Sequence, residues 1–143
     1  MKYVPSVAAF LAAFLLSVEA DAGNVRSVSG ASATVAGHVA GKFQCLVNKL
    51  DAAGYKIKFM GGYRKHGSVR HSKHPAGLAL DINQTGRNRV IRPFPSGTTR
   101  MAEACGLFHG KLWRNDDAGH FETRSPYMDR YSRRTGHGKK AKR

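Results

Sequence analysis

Two short stretches of this chain hold residues whose types and spacing suit metal chemistry. In Ser72-Lys-His-Pro-Ala-Gly-Leu-Ala-Leu-Asp81, a histidine, His74, is followed by the carboxylate of Asp81; in Asp117-Ala-Gly-His-Phe-Glu122, a second histidine, His120, lies between two acidic residues. His74, Asp81 and His120 make a three-ligand set for Zn2+ that leaves the fourth tetrahedral position open to water, the layout of a catalytic rather than a structural zinc. An ion held by two neutral imidazoles and one carboxylate keeps a net positive charge and lowers the pKa of that water.

The local patterns say how these groups are aimed. Leu78, Leu80 and Ile82 alternate with Gly77, Ala79 and Asp81, the period-two signature of a strand with one core-facing side. Asp81 then leaves the face opposite the leucines, and the small Gly77 and Ala79 leave room in front of its carboxylate. Pro75 and Gly77 are turn formers that can fold the His74 imidazole back over that face. In the second stretch His120 and Glu122 share one strand face while Phe121 points to the core. Asp117 precedes His120 by an odd interval, so Ala118-Gly119 must turn the chain for both to serve one site, and Gly119 permits it.

Ser72-x-His74-x-x-Gly77-x-Ala79-x-Asp81 followed by Asp117-x-x-His120-Phe121-Glu122 resembles the motifs of the zinc peptidase family of D-Ala-D-Ala carboxypeptidases and L-Ala-D-Glu endopeptidases, which cleave bacterial cell-wall peptides. Gly62-Tyr63-Arg64 is similar to a third family motif, and Gly106-Leu107 with Gly110 and Trp113 to the approach to the second histidine, so the resemblance covers roughly positions 40 to 124. It implies one Zn2+ on His74, Asp81 and His120, Asp117 as general base, and Arg64 steadying the charge that develops on the scissile carbonyl. Ser72, Tyr63, Glu122 and Trp113 would contact substrate or support the ligands. Asp at the base position looks closest to the endopeptidase branch. Phe108-His109-Gly110 departs from the Trp-Gly that often follows Gly-Leu in the family, which bears on the substrate pocket more than on the metal. On residue types alone, Asp116 and Glu122 compete with Asp117 for the base role, and Ser72 reads as a turn or supporting residue because no triad accompanies it.

The elements that must position these residues suggest an α+β domain, a small and mostly antiparallel sheet flanked by helices, with the zinc site on the open sheet face. Val35, Val39, Phe43, Leu46, Val47 and Leu50 recur at helical spacing, with Ser32 or Thr34 as N-cap and Gly54 as the stop. Tyr55, Ile57 and Phe59 alternate with Lys56, Lys58 and Met60 as a strand ending at Gly61-Gly62, which brings Arg64 to the strand end. Residues 65 to 73 form a basic loop carrying His66 and His71. A metal set of His66, His71 and His74 is disfavoured there, because the loop holds no carboxylate to offset its positive charge. Residues 83 to 97 read as a polar loop with Val90-Ile91 as a short edge strand, and Thr98 to Cys105 as a short helix ended by Gly106.

The ends and the composition bear on compartment and partners. Met1-Lys2, an apolar run from Val7 to Leu16 and small residues at Val18, Ala20 and Ala22 predict a secretory signal peptide over 1–20, cleaved after Ala20 or Ala22. The domain plan that follows is a flexible leader over 21–31, a zinc peptidase domain over 32–128 and a disordered basic tail over 129–143. No other stretch is long and apolar enough to cross a membrane. The protein is then secreted or periplasmic, in a bacterial cell envelope, and monomeric. In that oxidising compartment Cys45 and Cys105 either form a bridge or stay as two thiols; the polar position of Cys45 favours the bridge. The net charge of +15 favours anionic partners such as cell-wall polymers, through the basic surface and the tail, beside peptidoglycan peptides as substrate. Two other function classes fit fewer of these features. One is a zinc-containing wall-binding module without turnover; the other is a basic nucleic-acid binder, which export argues against, so no specific nucleic acid is expected.

Overall fold

The computed structural model describes residues 22–86 and 89–124. The predicted signal peptide and basic tail lie outside the described residues. Among those described, no helix is long and apolar enough to cross a membrane. The described residues form a small α+β fold with two α-helices and antiparallel strand pairing throughout.

The first departure from expectation comes at the start. The stretch expected as a flexible leader contains strand β1, Ala22–Arg26, paired antiparallel with β2, Ser32–Ala36. Val25 is fully buried, and Arg26 exchanges two backbone hydrogen bonds with the side-chain amide of Gln44. A polar stretch with one valine has little strand signal of its own; its partner strand supplies it. The second departure follows from the first. Ser32 and Thr34 are not helix caps, because Ala33 and Val35 alternate inward from β2, and helix α1 runs over Gly37–Ala52 with Ala36 as an N-cap that offers no side-chain bond. Val35 and Val39 are four apart, a spacing that mimics a helix, whereas Ala33 and Val35 are two apart.

Beyond that point α1 follows its pattern. Val39, Phe43, Leu46, Val47 and Leu50 are buried, and Gly54 has the left-handed φ of 72° that ends the helix. Over Tyr55 to Phe59 burial alternates, with Tyr55 and Ile57 buried and Lys56 and Lys58 exposed, yet only β3, Met60–Gly61, pairs in a ladder. The side chain of Asn83 takes the ladder's place: it accepts Lys58 N–H at 2.7 Å and donates to the Lys56 carbonyl at 3.0 Å.

The principal sheet has the order β3-β4-β8-β7, with β4 spanning Ala79–Ile82, β7 Leu107–His109 and β8 His120–Thr123. A separate hairpin, β5 Gln84–Gly86 with β6 Arg89–Val90, replaces part of the expected polar loop. Helix α2, Thr98–Ala104, ends at Gly106 as its sequence suggests. One core joins Phe43, Leu46 and Leu50 of α1 with Leu80, Ile82, Leu107 and Phe121 of the sheet. Cys45 of α1 and Cys105, which closes α2, form a disulfide. Phe94, in the loop before α2, stacks on Tyr55 at 4.6 Å and meets Phe121 edge-on, so that loop is anchored by an aromatic in the core.

Candidate metal centre

Asp81 on β4 and His120 on β8 are directly opposed across the antiparallel ladder, which puts both side chains on one face. On the other side of Asp81 stands Gly61 of β3. His74 enters from a 3₁₀ turn, His74–Ala76, with Pro75 at its start; Gly77 closes it with φ of 67° and returns its N–H to the His74 carbonyl. This is the fold-back that Pro75 and Gly77 suggested. One detail differs. Gly77 lies before the strand, and a Cβ there would come within 2.6 Å of the Ala36 backbone, while Ala79 is fully buried. Their small size admits the β2–α1 junction rather than leaving free space before the carboxylate.

The donor atoms converge. His120 Nδ1 lies 2.8 Å from Asp81 Oδ1, and His74 Nε2 lies 3.1 Å from Asp81 Oδ2. The three residues form a group that can hold a metal ion, with one donor atom from each lying within 4.8 Å of the other two. Ligands about 2.0–2.1 Å from a tetrahedral ion stand roughly 3.3 Å from one another, close to the separation of each imidazole nitrogen from the Asp81 carboxylate.

The buried polar atoms test the fit. His74 is 1% exposed, and its Nδ1–H donates to the Gly62 carbonyl at 2.7 Å, which leaves Nε2 as the nitrogen facing the group. Nε2 has no hydrogen-bond partner despite the nearby Asp81 oxygen, so the contact is a close approach without hydrogen-bond geometry. A buried imidazole nitrogen left this way costs free energy, and a cation would satisfy it. Gly62 is needed for this arrangement, because a Cβ there would lie 2.0 Å from the Thr34 carbonyl oxygen.

Electrostatics agree. Burial alone would raise the Asp81 pKa, but the hydrogen bond from His120, the close approach of His74 and the charge of both rings outweigh it and hold the carboxyl well below its usual range. Burial would lower the His120 pKa, but Asp81 and Glu122 on its two nitrogens outweigh that and push it up to about 9. In the metal-free protein His120 is therefore a cation at neutral pH, and a metal at Nδ1 takes a proton's place.

The supporting residues are distributed around this centre. Glu122 Oε2 is 3.3 Å from His120 Nε2, and its other oxygen is 3.1 Å from Lys73 Nζ. Arg64 Nη1 donates to Asp81 Oδ2 at 2.9 Å, so the arginine reaches the site through the ligand carboxylate. Trp113 lies tilted against His120 with ring centroids 5.0 Å apart, its indole N–H buried without a partner. Ser72 Oγ accepts the His74 N–H in a long contact of 3.4 Å, a turn role. Tyr63 is exposed beside Arg64. Asp117 is joined to the site's strand by the Ala118-Gly119 turn, its carbonyl accepting His120 N–H at 3.0 Å and its carboxylate accepting Gln84 Nε2–H at 2.8 Å. His66 and His71 are exposed and stand outside the three-residue group.

His109 is the residue that the sequence patterns miss. It is 1% exposed, stacked on Phe121 at 4.5 Å, and kept below its usual pKa chiefly by burial. Its Nε2–H donates to the Ala118 carbonyl at 2.8 Å, and its Nδ1 meets Thr99 Oγ1 at 2.9 Å, so a neutral histidine ties α2 to the turn that precedes His120. In the sequence only the apolar pair Leu107-Phe108 before it hints at an interior place, and the structure buries all three. Compared with protein-family models, characterised proteins and solved structures, the chain matches none.

Proposed function

We propose that this protein is an exported zinc peptidase that hydrolyses amide bonds in peptidoglycan stem peptides. The observation that carries the reading is the buried His74 Nε2, without a hydrogen-bond partner, facing Asp81 and His120. Two imidazoles and one carboxylate suit zinc and are too few for a closed structural site. Bound there, zinc would supply Lewis acidity, activating water and polarising a carbonyl.

The chain's own groups would do the rest. Asp117 would take the proton from the attacking water and pass it to the leaving amine. Arg64, whose side chain is 41% exposed, would turn from Asp81 toward the oxygen on which charge develops once the metal neutralises that carboxylate. Lys73 and Glu122 would hold the His120 ring, and Trp113 would shield one side of it from water. Exposed Lys56, Lys58, Lys65 and Arg70 would draw the enzyme to anionic wall polymers.

The test is metal analysis joined to mass spectrometry of products from a defined muropeptide, with Asp117→Ala as control. We expect one zinc per chain, a single cleaved amide bond, and a variant slowed about 10²- to 10⁴-fold that still holds zinc. A zinc-loaded wild type that cleaves nothing would instead indicate a wall-binding module.

A further inference from the structure

We propose that Gln84 is a positioning residue that aims the Asp117 carboxylate. The inference rests on reading Asp117 as the general base, and it begins from a backbone irregularity. Strand β4 runs up to Ile82, whose N–H still bonds the Gly119 carbonyl at 2.9 Å, and the next residue, Asn83, has φ of 52° while fully buried. Left-handed backbone is uncommon outside glycine, and asparagine tolerates it best. Asn83 is held there by Lys56 and Lys58 through its side chain and by Phe59 and Ile91 through its backbone. The kink turns the chain out of the sheet and into the β5–β6 hairpin, which begins at Gln84.

Gln84 thereby falls beneath the Asp117–His120 turn. Its Nε2–H donates to Asp117 Oδ1 at 2.8 Å. Its Oε1 is buried with no hydrogen-bond partner. A Cβ on Gly119 would lie 3.0 Å from that oxygen and 2.9 Å from Gln84 Cβ, so glycine at 119 makes room for the amide. A buried amide oxygen left unsatisfied and a left-handed asparagine are two local costs incurred at one place, and both serve to put one N–H donor on Asp117. A hydrogen bond from Gln84 to one carboxylate oxygen restricts rotation of the group about its Cβ–Cγ bond, and so the direction from which it accepts a proton.

Gln84→Leu removes the donor at nearly constant volume, and a defined stem peptide is the probe. We expect kcat to fall about 10- to 100-fold with KM and zinc content unchanged. In an Asp117→Asn background the same substitution should change kcat less than twofold, because the group it positions is already gone. A readout independent of turnover uses nitrogen-labelled, metal-free protein: the Gln84 side-chain amide resonances should move in Asp117→Asn. Unmoved resonances overturn the proposal. So does a Gln84→Leu variant within twofold of wild type, or one that loses zinc and activity equally in both backgrounds, which would make Gln84 merely structural. A wild type inert toward the peptide defeats the hydrolase reading by itself, and the resonance shift then decides the positioning.

Discussion

Glu122 Oε2 lies 3.3 Å from His120 Nε2, on the far side of the ring from Asp81 Oδ1, which lies 2.8 Å from Nδ1. One histidine thus has a carboxylate on each nitrogen, and only the Asp81 side also faces His74. Glu122 holds one ring nitrogen and leaves Nδ1 directed at Asp81, within the group that can hold a metal ion.

Glu122→Ala should therefore weaken zinc binding about 10- to 100-fold without removing a ligand. Glu122→Gln keeps an acceptor for the ring N–H and should lose less. Competition with a chromogenic chelator measures both, and equal affinities across the three proteins would remove Glu122 from the site's support.

Removing a ligand should be more severe. His74→Ala and Asp81→Ala should each purify with far less than one zinc per chain and hydrolyse nothing, as should wild type stripped by chelator. Elemental analysis decides; full zinc occupancy in either variant would mean that the ion is held elsewhere.

The metal-free protein should have its own pH profile of stability. His120 is raised from 6.5 to about 9, so its contribution is complete below pH 6.5 and is lost as pH rises through 9. Asp81 is lowered from 3.8, so its contribution is present above that value and is lost as pH falls below it. Denaturant midpoints should accordingly be highest between about pH 4 and 6.5. His120→Ala should flatten the alkaline side, and an unchanged alkaline slope would contradict the pairing. Zinc binding at pH 7 should release protons, seen as a buffer-dependent heat in calorimetry.

The Cys45–Cys105 bridge spans 60 residues, and closing a loop of that length stabilises by about 4 kcal/mol in the chain-entropy account. Replacing both cysteines with alanine should lower the melting temperature on the order of 20 °C. The metal group is built on other residues, so zinc stoichiometry of the folded fraction should stay the same.

Much of the site is legible in the chain because it is built from local periodicities. Strand alternation puts Leu80 and Phe121 in the core and Asp81 and His120 on the opposite side, and Pro75 with Gly77 turns His74 back. Those are short-range steric effects, and the residues concerned carry them wherever they are placed. Helix α1 beyond Val39 and helix α2 are legible for the same reason.

Other features are settled only when distant segments meet. Ala22–Arg26 becomes a strand because Ser32–Ala36 pairs with it, and that pairing also ends the apparent helix at Gly37. Asn83 stands in for a ladder that Tyr55 to Phe59 do not form, and His109 finds Thr99 and Ala118 only inside the folded core. By itself the sequence determined which residues are able to bind a metal and which way each one faces along its own strand or turn. Tertiary structure alone decided how near they come and which polar atoms are left without partners, since both depend on backbones meeting across gaps that only glycines such as Gly62 and Gly119 allow.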